Sequence, residues 1–170
     1  MSRVNNLVEI LAIRHFSDQR GSYLKLWSAE ACGFAPRQVA AITCPKIGVF
    51  RGLHWQAPPH AERKLVTCPR GAIFDIAVNM DPASPGYRSW QGMELTADDD
   101  KAFLIPPLHA HGFLSLSADT LVVYASDADY IPEAERGLLV TDPALGIVLP
   151  VPARILSTKD ASWPPLASFS

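Results

Sequence analysis

Apolar residues fall in short runs along this chain, rich in Val, Ile, Phe, Leu and Tyr, and proline or glycine ends most of them. That texture predicts strands rather than helices, because β-branched and aromatic side chains suit a half-buried pleated surface. Strands are expected over Leu7–Ile13, Ser22–Trp27, Gln38–Cys44, Val49–Trp55, Arg63–Cys68, Gly71–Met80, Ser89–Leu95, Ala102–Ile105, His111–Ser115 and Leu121–Ser126. Arg88–Glu94 and Val122–Asp127 alternate apolar with polar positions, which sets one face of each against a core. Helical periodicity is scarce; Ser28–Cys32 and Pro132–Arg136 offer a turn or two each. Pro58-Pro59, Asp81-Pro82, Ser84-Pro85-Gly86 and Pro106-Pro107 mark turns. Evenly spaced strands with short turns predict an all-β sandwich or barrel, and a jelly roll is the natural form. The proline-rich tail from Pro143 is expected to wrap the surface as irregular chain.

Composition narrows the class. A chain of 170 residues is enough for one well-buried domain spanning 1–170 and too short for two comfortable ones. Apolar residues make up 48%, which fills a core and argues against disorder. The 15 Lys and Arg stand against 17 Asp and Glu with no basic run, so neither a nucleic acid nor an anionic membrane is an expected partner. The stretch Leu7–Ile13, broken by Glu9, is too short and too charged for a signal segment or a membrane span, so a cytoplasmic protein is expected. Cys32, Cys44 and Cys68 are odd in number and lack CxxC spacing, as buried thiols in a reducing compartment would.

Reactive side chains concentrate in three places: Arg51-Gly-Leu-His54-Trp-Gln56 with Lys64 downstream, Asp75 inside Ile73–Val78, and His109-Ala-His111 followed by Tyr124 and Tyr130. An ionisable group inside an apolar strand is costly unless paired, so Asp75 needs a partner, such as a histidine. His54 lies three residues from Arg51, and a regular strand points such residues to opposite faces. Both reach one site only if Gly52 permits a bulge or twist. His109 and His111 have the spacing of a metal-binding pair, but Gly112, Phe113, Leu114 and Ser115 follow with no carboxylate. A hard or borderline divalent metal needs more ligands than that, so neither metal nor cofactor is expected.

In joint order and spacing these pieces resemble the dTDP-4-dehydrorhamnose 3,5-epimerase family, whose members are cupin-type jelly rolls. The resemblance runs through Asp18-Gln-Arg20-Gly21, Gly48–Gln56, Pro58-Pro-His-Ala61, Lys64-Leu-Val66 and Gly71–Val78. It continues through Ile105-Pro106, Ala110-His111-Gly-Phe113, Tyr124, Tyr130-Ile-Pro132-Glu, Glu135-Arg-Gly137, Asp142–Ile147 and Leu156–Asp160. Such enzymes invert a carbon beside the ketone of a 4-keto-6-deoxy sugar nucleotide. That C–H is acidic because the carbanion delocalises into the carbonyl as an enolate.

The resemblance implies a role for each matching residue. His54 is the base, since imidazole titrates near working pH, and Asp160 orients its ring and stabilises the imidazolium. Lys64 stabilises the enolate, and Tyr124 is the acid on the opposite face. Asp75 and His111 form a hydrogen-bonded support. Arg20 and Arg51 grip the pyrophosphate, and Gln56, Tyr130 and Lys25 complete substrate binding in a homodimer.

The departures bear on recognition. The family's Gln-x-Asn pair aligns with Val39 and Ala41, leaving Gln38 one residue off and expected on the other face. Lys25 stands where thymidine-binding members carry Glu, and Asp129 replaces an aromatic. These changes leave the base, the sugar and the choice of C3, C5 or both open. A sugar-nucleotide ketoisomerase or a non-catalytic sugar-nucleotide-binding cupin are the alternatives on the same fold.

Overall fold

The computed structural model describes residues 8–169. Its strands are β1 Glu9–Ala12, β2 Arg14–Asp18, β3 Gly21–Lys25, β4 Gln38–Cys44, β5 Phe50–Gln56, β6 Lys64–Arg70, β7 Ala72–Asn79, β8 Trp90–Thr96, β9 Lys101–Ile105, β10 His109–Ser115, β11 Thr120–Ser126 and β12 Glu135–Gly137. Two five-stranded sheets form, in the orders β1-β9-β6-β11-β4 and β12-β5-β10-β7-β8, with β2 and β3 as a separate hairpin. The paired strands are antiparallel throughout. This is the expected cupin-type jelly roll. Of the expected first strand, Leu7 lies outside the described residues.

The core follows strand parity. Along β7, Ile73 and Ala77 pack between the sheets with Val66, Phe103, Ile105, Phe113 and Val122. The alternate residues Ile76 and Val78 face outward, yet they are buried too, against Leu138, Val140, Leu145 and Leu166 of the C-terminal tail. A strand covered on both faces reads as a nearly continuous apolar run, which is why Ile73–Val78 does not alternate. The tail is therefore a fixed layer over the second sheet. Trp55 meets Phe169 at 5.3 Å between ring centroids, and the Phe169 carbonyl accepts hydrogen bonds from Tyr87 Oη and the Arg88 guanidinium.

The tail also returns to the start of β5. Val49 bridges Ile155 in parallel, and Phe50 N–H donates to the Ile155 carbonyl at 2.9 Å. A short helix, α2 Thr158–Ala161, follows; a first one, α1 Ala29–Cys32, lies ahead of β4. Ser157 caps α2 by accepting from Asp160 N–H at 3.0 Å. Three elements differ from the sequence expectation. The hairpin strand β2 is mostly exposed and carries no apolar run to reveal it. At Pro132–Arg136 a 3-10 turn over Pro132–Ala134 gives way to β12, an edge strand set by pairing with β5. Helix α2 lies in chain that was expected to be irregular.

Candidate active site

Gly52 makes the bulge that the spacing of Arg51 and His54 demands. His111 pairs with His54 and Phe113 with Arg51, so three steps on β5 face two on β10. Gly52 has φ +125°, and a Cβ there would meet Gly112 Cα at 2.5 Å and the His111 carbonyl at 2.6 Å. Arg51 and His54 consequently line one cavity, with Lys64, His111, Phe113 and Tyr124. Both the backbone conformation and the backbone neighbours refuse a methyl group here. Gly52→Ala is expected to destabilise the fold by on the order of 3 kcal/mol, read as a lower urea midpoint, because neither neighbour is a side chain that can swing away.

The cavity, about 120 Å³, lies between the two sheets. His54 and His111 come from the second sheet, while Lys64 and Tyr124 come from the first. A neighbouring space of about 160 Å³ shares His54, Lys64 and Tyr124 and adds Gln38, Gln56, Glu62, Tyr130 and Glu135.

His54 Nε2 is 2.5 Å from Asp160 Oδ1, joining residues 106 apart in sequence. The bond fixes the tautomer: Nε2–H donates to the carboxylate and Nδ1 keeps its lone pair. Burial raises the Asp160 carboxyl, but the His54 bond and charge, Ser157 and the Gly52 N–H outweigh it and hold the group below the usual range. Nδ1 has Glu135 Oε1 at 3.9 Å. Glu135 is itself opposed by burial, yet Lys159, the Tyr130 hydroxyl and His54 keep it below the ordinary carboxylate range. Trp163 sets its ring edge-on to His54 at 5.8 Å, in space left by Gly137, where a Cβ would overlap the indole.

Asp75 is fully buried and takes the His111 Nε2–H at 2.6 Å, which is the partner its apolar strand required. Lys64 Nζ is 2.8 Å from Glu62 Oε1. Burial first, and the Glu62 charge second, push the Tyr124 hydroxyl above the ordinary phenol range, so it stays protonated near neutrality. Tyr130 donates to Glu135 at 2.8 Å.

Other expected site residues fall elsewhere or are otherwise engaged. Gln56 is buried; its amide donates to the carbonyls of Asp129 and His60 and accepts from Ile131 N–H, so it fastens the loop that carries Tyr130. Arg20 sits at the β2–β3 turn, exposed and bonded to Asp18, and Lys25 lines a separate cavity beside Arg14 and Trp27. Neither lines the two spaces around His54. Gln38 corrects the expected frame: it lines the space beside Tyr124, while Val39 is 62% exposed on the outer face. Glu62, Glu135, Lys159 and Trp163 were missed as site residues. Glu62 had a signal, a carboxylate two residues before Lys64.

The family model for dTDP-4-dehydrorhamnose 3,5-epimerase matches residues 3–168. The chain belongs to that family. It is 38% identical over 168 residues to the dTDP-4-dehydrorhamnose 3,5-epimerase of Sinorhizobium fredii, covering 95% of this chain and 86% of that one. A crystal structure of the Bacillus anthracis enzyme with TDP and PPi bound superposes with a TM-score of 0.89 at 34% identity, covering 94% of each chain. A dTDP-6-deoxy-D-glucose-3,5-epimerase from Legionella pneumophila, in complex with dTDP-4-keto-L-rhamnose, gives 0.87 at 32% identity, over 98% of this chain and 90% of that one. Membership places this chain among the isomerases that act on small sugar nucleotides. Among the described residues no helix is long and apolar enough to cross a membrane.

Proposed function

We propose that the protein epimerises a 4-keto-6-deoxy sugar nucleotide at C3, C5 or both, in deoxysugar or surface-polysaccharide biosynthesis in the cytoplasm. One observation carries this reading: a histidine base on one sheet faces a lysine and a tyrosine on the other across a single cavity. Inversion needs proton removal from one face of a planar enolate and proton return to the other. Two facing sheets supply both sides.

His54 Nδ1 takes the α-proton. Asp160 holds the ring, and Asp160 and Glu135 together favour the imidazolium that results. Lys64 places its ammonium where charge collects on the ketone oxygen. Tyr124 then protonates the opposite face. His111, held by Asp75 through its Nε2–H, sets a ring with an Nδ1 acceptor beside the sugar, and Arg51 supplies a cation for the pyrophosphate. Because Lys64 supplies the positive charge, activity is expected to survive dialysis against chelator; loss with recovery on adding a divalent ion would overturn that expectation.

The whole span 1–170 works as one unit in this reading, and as a homodimer. The hairpin supports the second statement: it carries Arg20 and Lys25 outside the His54 spaces and exposes Phe16 and Tyr23. A second copy is what would bring those cations to a nucleotide. Lys25 can only donate hydrogen bonds, so the base edge it favours offers acceptors. Incubation in heavy water with a panel of dTDP-, UDP-, CDP- and GDP-linked 4-keto-6-deoxy sugars tests the reading by NMR. Deuterium at C3 or C5 with an inverted product supports it; ligand binding without exchange, or a migrated ketone, refutes it.

A further inference from the structure

Glu62 is 9% exposed, in the segment just ahead of β6. A carboxylate buried that far is costly unless paired, and this one is paired twice. Oε1 lies 2.8 Å from Lys64 Nζ, and Oε2 accepts a 2.6 Å hydrogen bond from Ser126 Oγ. Ser126 is the cross-strand partner of Lys64 and sits two residues beyond Tyr124 on β11, which sets it on the same face as Tyr124. One carboxylate thus spans the strand pair that carries both Lys64 and Tyr124, and it lines the same space as they do. Two fixed hydrogen-bond partners also mean that the charge has a defined place.

We propose that Glu62 is a positioning residue for the epimerisation, a fixed negative charge that anchors the Lys64 ammonium and keeps Tyr124 loaded with its proton. The inference rests on the proposed function. Around the resting cavity, Glu62 neutralises Lys64 until an enolate competes for the ammonium. Tyr124 also faces Arg51, His54, Lys64 and His111 in one space, and Tyr130 and Glu135 in the other. Burial is the larger cause of its raised hydroxyl, and the Glu62 charge adds in the same direction, since a phenolate forms less readily beside a carboxylate.

Glu62→Gln keeps the volume and an acceptor for Ser126 while removing the charge. In tyrosine ring-carbon-labelled protein followed by NMR without substrate, and assigned with Tyr124→Phe, Tyr124 should titrate at a lower pH in Glu62→Gln than in the parent. During turnover the alkaline limb of kcat should move down with it, while KM changes little. Glu62→Asp restores the charge and should restore the parent's midpoint. Should Glu62→Gln not fold, Glu62→Met removes the same charge at similar volume, with Ser126 Oγ left on the Ala128 carbonyl, and should lower the midpoint in the same direction. An unchanged Tyr124 midpoint in the folded variant overturns the proposal, whether or not the protein turns over. So does a raised KM with an intact alkaline limb, which would make Glu62 a substrate-binding residue. A parent protein that neither exchanges nor epimerises any substrate in the panel defeats the functional reading, and the titration still decides the role of Glu62.

Discussion

Replacing His54 with Asn is expected to lower turnover by about 10²–10⁴-fold or more and to stop exchange of the substrate's α-hydrogen. Asn is smaller than the imidazole and polar, and Asp160 keeps the Gly52 N–H, so loss of fold is not the expected cause. What disappears is the lone pair on Nδ1, fixed as the acceptor because Nε2–H is spent on Asp160. Lys64 is paired with Glu62, and His111, held by Asp75 through Nε2 as His54 is by Asp160, is the first candidate if exchange persists. Loss of the imidazolium, which Asp160 and Glu135 flank, adds to the cost. Proton NMR in heavy water checks both quantities in one sample. Persistent exchange in this variant would show that the base lies elsewhere.

Replacing Tyr124 with Phe should separate the two halves of the reaction. The enolate still forms, because His54 and Lys64 are untouched, and His54 can return the proton to the face it left. Deuterium should therefore enter the substrate at a rate near the parent's, while epimer formation falls by about 10²-fold or more. Phe fills the same space between the sheets, so stability should change little. The contrast between the two variants follows from a base and an acid placed on opposite sheets. If Tyr124→Phe epimerises at the parent's rate, the acid is another group, and Tyr130, which lines the adjoining space and is bonded to Glu135, is the first to replace.

The barrel was legible because it rests on local signals, and the candidate site chiefly through the family resemblance. Alternation and proline punctuation marked nearly every long strand, and a buried Asp75 announced a partner before His111 was seen to supply it. Arg51 and His54 stated their own puzzle, a parity conflict that only a bulge at Gly52 resolves. What escaped notice depends on contacts distant in sequence. Strand β12 exists because β5 offers it an edge, and α2 because Ser157 caps a turn that the bridge to Val49 has already placed. Register is a similar case: nothing local shows that Gln38 rather than Val39 faces inward, since that follows from pairing with Ser126 on β11. Glu62 was legible in part, at a same-face spacing from Lys64, but its burial and its bond to Ser126 were not.

The C-terminal tail covers the outer face of the second sheet and carries Asp160 to His54. Those two tasks share one segment, so they share one equilibrium. A barrel whose tail has lifted away loses its apolar cover and the His54–Asp160 bond together. In the proposed reaction, catalysis thereby becomes a property of the completed fold: His54 acquires its orienting carboxylate only when the last layer has closed.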